Sequence, residues 1–291
     1  MGTIGKYKKD TLGTRIKENY ENRTKQFLTR RVPTIIRLDG KAFHTYTKGL
    51  NKPFDDGLIA DMQETTKFLC DNVQGCKLGY TQSDEITLVL TDYDNLQTNA
   101  WFDYNVQKMT SVSASIATAK FNQLRLQRHF NKSQKEVDVI NKSNFFDYDS
   151  VRVDNVGAQQ KLAFFDSRVF QIGEKEEVVN SLIWRQQDAE RNSIQMLAQS
   201  LYSQKQLHGK NTSVLQDMCW QKGQNWNDLD SSKKRGSLIL KQIYVDDKKI
   251  TKENASELGS KSNLQTKIRT KWEVIDTPIF TKDRDAILNL I

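Results

Sequence analysis

Two carboxylates, Asp39 and Asp84, stand where an ordinary core would not place them. Each ends or interrupts an apolar run, Ile35-Ile36-Arg37-Leu38-Asp39-Gly40 in one case and Gly79-Tyr80-Thr81-Gln82-Ser83-Asp84-Glu85 in the other. An uncompensated carboxylate inside a core is costly, and a bound cation removes that cost. If both runs are strands of one sheet, they bring hard oxygen donors to one edge, which suits a divalent ion such as Mg²⁺. Phosphoryl transfer uses such pairs to activate an attacking oxygen, stabilise a leaving one and orient a triphosphate. A plainer account is open on these residues alone: Asp39 caps a turn with Gly40, and Asp84 lies on a solvated strand edge.

The elements that would position these residues follow from periodicity. Residues 1–33 are polar and basic, with a helix expected over Leu12–Leu28. Pro33 opens a strand over Thr34–Leu38. Gly40 permits a sharp turn directly after Asp39, so successive amides of Gly40, Lys41, Ala42, Phe43 and His44 can cradle phosphate oxygens. Leu58, Met62, Leu69 and Val73 mark one buried face of a helix from Gly57 to Val73. A long strand is expected from Lys77 to Thr91. Its alternation puts Asp84 on one face with Leu78, Tyr80, Ile86, Leu88 and Leu90, and turns Glu85 away unless the chain bends.

A second helix is expected over Asn99–Leu126, lined with small residues from Ser111 to Ala119 and carrying Lys108 in its first half. A polar insertion follows over 127–160, then a strand at Leu162–Phe170 and a helix over Val178–Gln206. The element order is strand, helix, strand doubling back as a hairpin, helix, strand. That order suits a split βαβ sheet with helices on one face.

The chain has 291 residues, 37% of them hydrophobic, enough for a full core in one large domain or two fused lobes. No apolar run is long enough for a membrane span or a secretory signal, and Cys70, Cys76 and Cys219 show no metal-binding spacing, so a cytoplasmic protein is expected. The net charge is +8, and it is uneven. Residues 1–33 hold nine Lys/Arg against three Asp/Glu, and residues 231–291 hold thirteen against eight. Basic ends around an acidic centre suit a polyanion held over a metal site, although solvated lysines serve solubility equally well.

Several pieces occur together in a telling order: Leu38-Asp39-Gly40 with Phe43-His44, the Lys52-Pro53 loop, Gln82-Ser83-Asp84-Glu85, Phe165-Asp166-Ser167-Arg168-Val169-Phe170, and Trp184-Arg185-Gln186 with Asp188 and Asn192. In this order, over residues 30–205, they resemble the tRNA-histidine guanylyltransferase superfamily, enzymes that add nucleotides in the 3′-to-5′ direction. The resemblance implies an α+β fold with a polymerase-like palm, a ferredoxin-like antiparallel sheet with helices on one face, followed by a helical and basic C-terminal extension. The palm and its basic leader would occupy residues 1–176 and the extension 177–291, packed together as one unit.

The same resemblance implies Mg²⁺, as two ions, on Asp39, the Gly40 carbonyl and Asp84, with Glu85 also required. It places nucleotide phosphates on the segment from Gly40 through Lys41, Ala42, Phe43 and His44, together with Lys52, Ser83, Lys108 and Asn192. The implied substrates are tRNA, ATP, GTP and other nucleoside triphosphates, and the implied assembly is a homotetramer. The chemistry would be activation of an RNA 5′-monophosphate with ATP, then attack by the 3′-hydroxyl of an incoming nucleotide.

One departure bears on which reaction is run. Eukaryotic members carry a histidine-led run after Trp-Arg-Gln, whereas this chain reads Glu190-Arg191-Asn192-Ser193. The pattern resembles the guanylyltransferase-like members that repair truncated tRNA 5′ ends by templated addition, and this reading is favoured over the addition of a single G. A palm-type nucleotide cyclase and an RNA-binding module without catalysis are the remaining alternatives.

Overall fold

The computed structural model describes residues 11–142, 161–246 and 267–291, with side chains placed for 11–131, 161–244 and 269–291. In chain order the helices are α1 (Leu12–Asn19), α2 (Phe43–Tyr46), α3 (Asp56–Asn72), α4 (Val106–Lys142), α5 (Lys175–Leu201), α6 (Gln204–Leu207), α7 (Thr212–Gln221), α8 (Ser231–Arg235) and α9 (Arg284–Leu288). The strands are β1 (Thr34–Gly40), β2 (Cys76–Gln82), β3 (Glu85–Leu90), β4 (Phe165–Gln171), β5 (Ser237–Asp246) and β6 (Lys267–Ile275). Among the described residues no helix is long and apolar enough to cross a membrane.

The strands form one antiparallel sheet in the order β4-β1-β3-β2-β5-β6. Its first four members have the order of a split βαβ unit, as the sequence predicts, and β5 and β6 lengthen it by a hairpin on the β2 side. Alternation in β1 divides the chain between two cores. Ile36 and Leu38 face α3 and α4 in a cluster with Met62, Leu69, Met109 and Phe121, whereas Ile35 faces α5 beside Val179 and Leu182. The two palm helices thus share one face, and the helical extension covers the other. Gly79 permits the close approach of α3: a Cβ there would lie 2.5 Å from Cys70 Sγ and 2.8 Å from Thr66 Cγ2.

The long strand expected over 77–91, which the element order has doubling back as a hairpin, is β2 and β3, joined through Ser83 and Asp84. Ser83 adopts a left-handed φ of 50°, and Gln82 pairs across the turn with Glu85. The turn reverses the parity of the side chains. Leu78 and Tyr80 therefore join Val89 on the α5 face, while Ile86, Leu88 and Leu90 join the opposite core. Asp84 is a turn residue, not a member of an apolar face.

Other boundaries move less. The N-terminal helix stops at Asn19, followed by a 3-10 turn over Glu21–Thr24. The second long helix starts at Val106, after a 3-10 turn at Trp101–Tyr104, and runs on to Lys142 through the first part of the expected insertion. Residues 143–160 of that insertion lie outside the described residues, as do Lys248, Lys249 and Lys261 of the basic tail. The tail expected after Leu240 contains the β5–β6 hairpin.

Candidate active site

The register brings three carboxylates into one row. Asp39 on β1 lies directly opposite Glu85 on β3 and directly opposite Asp166 on β4, so all three share the α5 face at one end of the sheet. Asp84 joins them through the backbone, its carbonyl accepting the Gly40 amide at 3.1 Å. Like charges directly opposite one another destabilise a sheet. A cation offsets that repulsion, and two carboxylates with the Gly40 carbonyl are a hard donor set of the kind Mg²⁺ takes. Among the described residues no three His, Cys, Asp or Glu side chains gather closely enough to hold a metal by themselves.

The electrostatics point the same way. Burial raises the Asp84 carboxyl above its ordinary range, against hydrogen bonds from its own backbone and the Ser83 hydroxyl, and the charge of Asp39 raises it further. Burial also raises Glu85, with Arg185 and then Arg37 drawing it back. Arg185 reaches from α5 to place Nε 3.2 Å from Glu85 Oε1, near enough for an ion pair but poorly aligned for a hydrogen bond. Its other arm donates to Asp188 at 2.7 Å, and Arg191 donates to the same carboxylate at 2.9 Å. Burial of Asp188 is more than offset by those two arginines, so its carboxyl lies below the ordinary range.

Beyond the carboxylates the chain forms the wall of a pocket. Gly40 closes β1 where a Cβ would lie 2.3 Å from the Phe43 ring, so no larger residue fits. Ala42, at a left-handed φ of 55°, turns the chain into α2. Two of the five expected cradle amides are already engaged, Gly40 with the Asp84 carbonyl and Lys41 with the Phe164 carbonyl at 2.8 Å. The amides of Ala42, Phe43 and His44 belong to the opening of α2, where a helix has no internal use for them. Phe43 itself is buried against Tyr46, Phe121 and Phe165. The exposed His44 ring meets the Thr45 hydroxyl at 3.0 Å.

A cavity of about 240 Å³ opens between the loop after α2, the β2–β3 turn, α5 and α8. Lys52, Ser83 and Asn192 all line it, with apolar walls from Leu58 and Met196 and with Lys233 and Gly236 on the α8 side. Gly236 has a φ of 77°, and a Cβ there would lie 2.6 Å from the Thr81 carbonyl oxygen. Lys108 lies apart from this cavity. Thr118 on α4 accepts the Phe165 amide beside Gly40, and Lys108 lies ten residues earlier, about 15 Å back along the helix. It is exposed there, over the Phe102 ring, at the end of the sheet where β1 begins.

Sequence reasoning missed Asp166 and Arg185 as members of the site. Both lie in segments noted only for their family resemblance, and strand register and helix phase alone reveal their neighbours. Glu190, in place of the family histidine, is raised by burial and drawn back by Arg235.

Comparison with known proteins fits this geometry. The model of the tRNAHis guanylyltransferase family, Thg1, matches residues 14–173. An uncharacterised protein of Acanthamoeba polyphaga mimivirus, R259, is 28% identical over 225 residues, 73% of this chain and 71% of that protein. A bacterial tRNA(His) guanylyltransferase (Thg1)-like protein solved in complex with ATP is 38% identical, with a TM-score of 0.74 over 97% of this chain and 99% of that one. The Saccharomyces cerevisiae tRNA(His) guanylyltransferase shares the fold at a TM-score of 0.57 and 22% identity, over 77% of this chain and 93% of that one. With the family model covering more than half of its length, the chain belongs to the tRNAHis guanylyltransferase family of nucleotidyltransferases.

Proposed function

We propose that this chain is a Mg²⁺-dependent 3′-to-5′ nucleotidyltransferase that rebuilds truncated tRNA 5′ ends by templated addition. The observation that carries the reading is the row of Asp39 and Glu85, joined by Asp84, next in the chain to Ser83, which lines a cavity with Lys52 and Asn192. Asp39, the Gly40 carbonyl and Asp84 would hold the metal, which supplies charge neutralisation to the attacking and leaving oxygens of an in-line displacement at phosphorus. Lys52, Ser83 and Asn192 bind the triphosphate, and the amides of Ala42, Phe43 and His44 support it. Leu58 and Met196 shield the nucleoside from water. Glu85, whose burial raises its proton affinity, accepts the proton of the attacking 3′-hydroxyl, and Arg185 fixes its direction.

The solved relatives in complex with ATP and with GTP support nucleoside triphosphates as substrates. Templated repair is supported by Glu190 in place of the histidine, and by 38% identity over almost the whole chain to a Thg1-like protein against 22% to the yeast enzyme. The test is extension of two 5′-monophosphorylated tRNAs with Mg²⁺, ATP and all four nucleoside triphosphates. One tRNA lacks its first nucleotide, and the other is a histidine tRNA awaiting its extra G. Extension of the truncated tRNA by the nucleotide complementary to the opposite strand is expected. G added only to the histidine tRNA would reverse the preference, and a cyclic nucleotide formed without RNA would overturn the reading.

A further inference from the structure

Among the described residues the α5 face of the sheet is not covered to its edge: β4 is an edge strand, and Arg168 and Phe170 on this face are exposed beside Asp166. Arg168 lies directly opposite Arg37 on β1, which precedes Asp39 by two residues and so shares its face. Two arginines opposite each other repel, and they invite an anion between them. Asp166 balances only part of this charge, at 3.3 Å from Arg168, and Arg37 Nε is buried with no hydrogen-bond partner.

At the border of this uncovered strip, α5 presents Trp184. The indole is 52% exposed, although Val178, Val179, Leu182 and Ile183 just before it on the same helix are buried. The Arg185 guanidinium stacks 4.0 Å from the ring centroid, and that of Arg37 lies at 5.8 Å. An indole that lies beside cations and is half open to solvent is a platform for a nucleobase, and arginines two residues from a reacting carboxylate suit the phosphates that follow it.

We propose that Trp184, with Arg37 and Arg168, forms the seat of the RNA 5′ end: the 5′-terminal base stacks on Trp184, and the Arg37–Arg168 pair holds the adjoining phosphates, so that the terminal phosphorus meets Asp39. The inference rests on the proposed reaction at RNA 5′ ends. It adds the surface on which the acceptor strand lies, on the side of Asp39 toward the β4 edge.

The experiment uses the full chain and a truncated tRNA carrying the fluorescent base 2-aminopurine as its 5′-terminal nucleotide. Binding to the unaltered protein is expected to quench the fluorescence. Trp184→Ala should abolish the quenching and raise KM for the tRNA roughly tenfold, with little change in KM for the nucleoside triphosphate, and Trp184→Phe should restore most of both. Trp184 also touches Arg185, so Arg168→Gln serves as the variant remote from Glu85. It should raise KM for the tRNA and flatten the dependence of RNA affinity on salt.

Quenching and KM for the tRNA unchanged in Trp184→Ala and Arg168→Gln would overturn the proposal. So would a change in oligomeric mass without a change in tRNA affinity, which would make the strip a contact between copies of the chain. If the unaltered protein extends no tRNA yet quenches the probe through Trp184, the proposed function falls and the RNA seat stands.

Discussion

Replacing Arg185 by Met removes the cation that faces Glu85 while keeping most of the packing volume. Glu85 and Arg185 side chains are 12% and 11% exposed, so the pair is nearly buried and a surface value of 0–1 kcal/mol does not apply. Removing one partner of a buried pair costs roughly 3–5 kcal/mol. The residual exposure, and the continued hold of Arg191 on Asp188, place the expected loss near the lower end, about 3 kcal/mol at neutral pH.

The loss should depend on pH with a definite sign. Glu85 is already raised by burial, and without Arg185 its proton affinity rises further. A carboxyl raised in the folded state keeps its full contribution below its unfolded pKa and loses stability as pH rises through the folded one. Asp188, which is lowered partly by Arg185, contributes stability above its unfolded pKa, and the variant gives up part of that. Both effects make the variant's deficit small near pH 4 and full by roughly pH 7.5. Urea unfolding followed by circular dichroism, without metal, at both pH values measures it. A deficit equal at the two pH values, or below about 1 kcal/mol at neutral pH, would refute the assignment of Arg185 as the counter-charge of Glu85.

Other substitutions probe the rest of the site. Asp84→Asn should lower extension by more than about a hundredfold. Without metal it should raise the melting temperature at neutral pH, because it removes a carboxylate whose ionised form burial opposes. Adding Mg²⁺ should raise the melting temperature of the unaltered protein and not that of the variant, as differential scanning fluorimetry would read. Gly40→Ala puts a methyl group 2.3 Å from a Phe43 ring hemmed in by Tyr46, Phe121 and Phe165. It should cost about 1–3 kcal/mol in chemical denaturation, more if the rings stay fixed. Asp61→Asn strips the charge from a carboxylate buried on α3 between Arg125 and Arg128, and a loss of about 3 kcal/mol is expected in the same assay, with the carboxylate row at β1 untouched.

The palm was legible in the sequence where periodicity was strong. β1 and α3 follow from apolar spacing, and the element order gives the sheet order of its first four strands. The β2–β3 hairpin was expected from the element order but the place of its turn was not, because Ser83-Asp84 lacks the glycine or Asn-Gly signal of a tight hairpin while apolar residues continue on both sides. Without the place of the turn, alternation put Asp84 on an apolar face and left the direction of Glu85 open. Lys108 lies on α4 ten residues before Thr118, and periodicity alone does not say which end of the sheet that part of the helix accompanies. Arg185 and Asp166 were unreadable as partners because Arg185 lies 100 residues from Glu85 in sequence and Asp166 lies 127 residues from Asp39.

The division of the interior into two cores bears on how the chain acquires its shape during synthesis. The core under α3 and α4 draws all but two of its buried members, Ile239 and Trp272, from residues before 166, whereas the core under α5 needs Val178 through Ile291. At ribosomal rates of about 5–20 residues per second, residues 173–291 take on the order of 10 s to emerge. For that interval Ile35, Leu78, Tyr80 and Val89 have no helix to cover them, and Asp39 and Glu85 stand without Arg185. The nascent palm therefore passes through a stage with a sticky, one-sided sheet, and its carboxylates take their final surroundings only when α5 and the residues after it arrive.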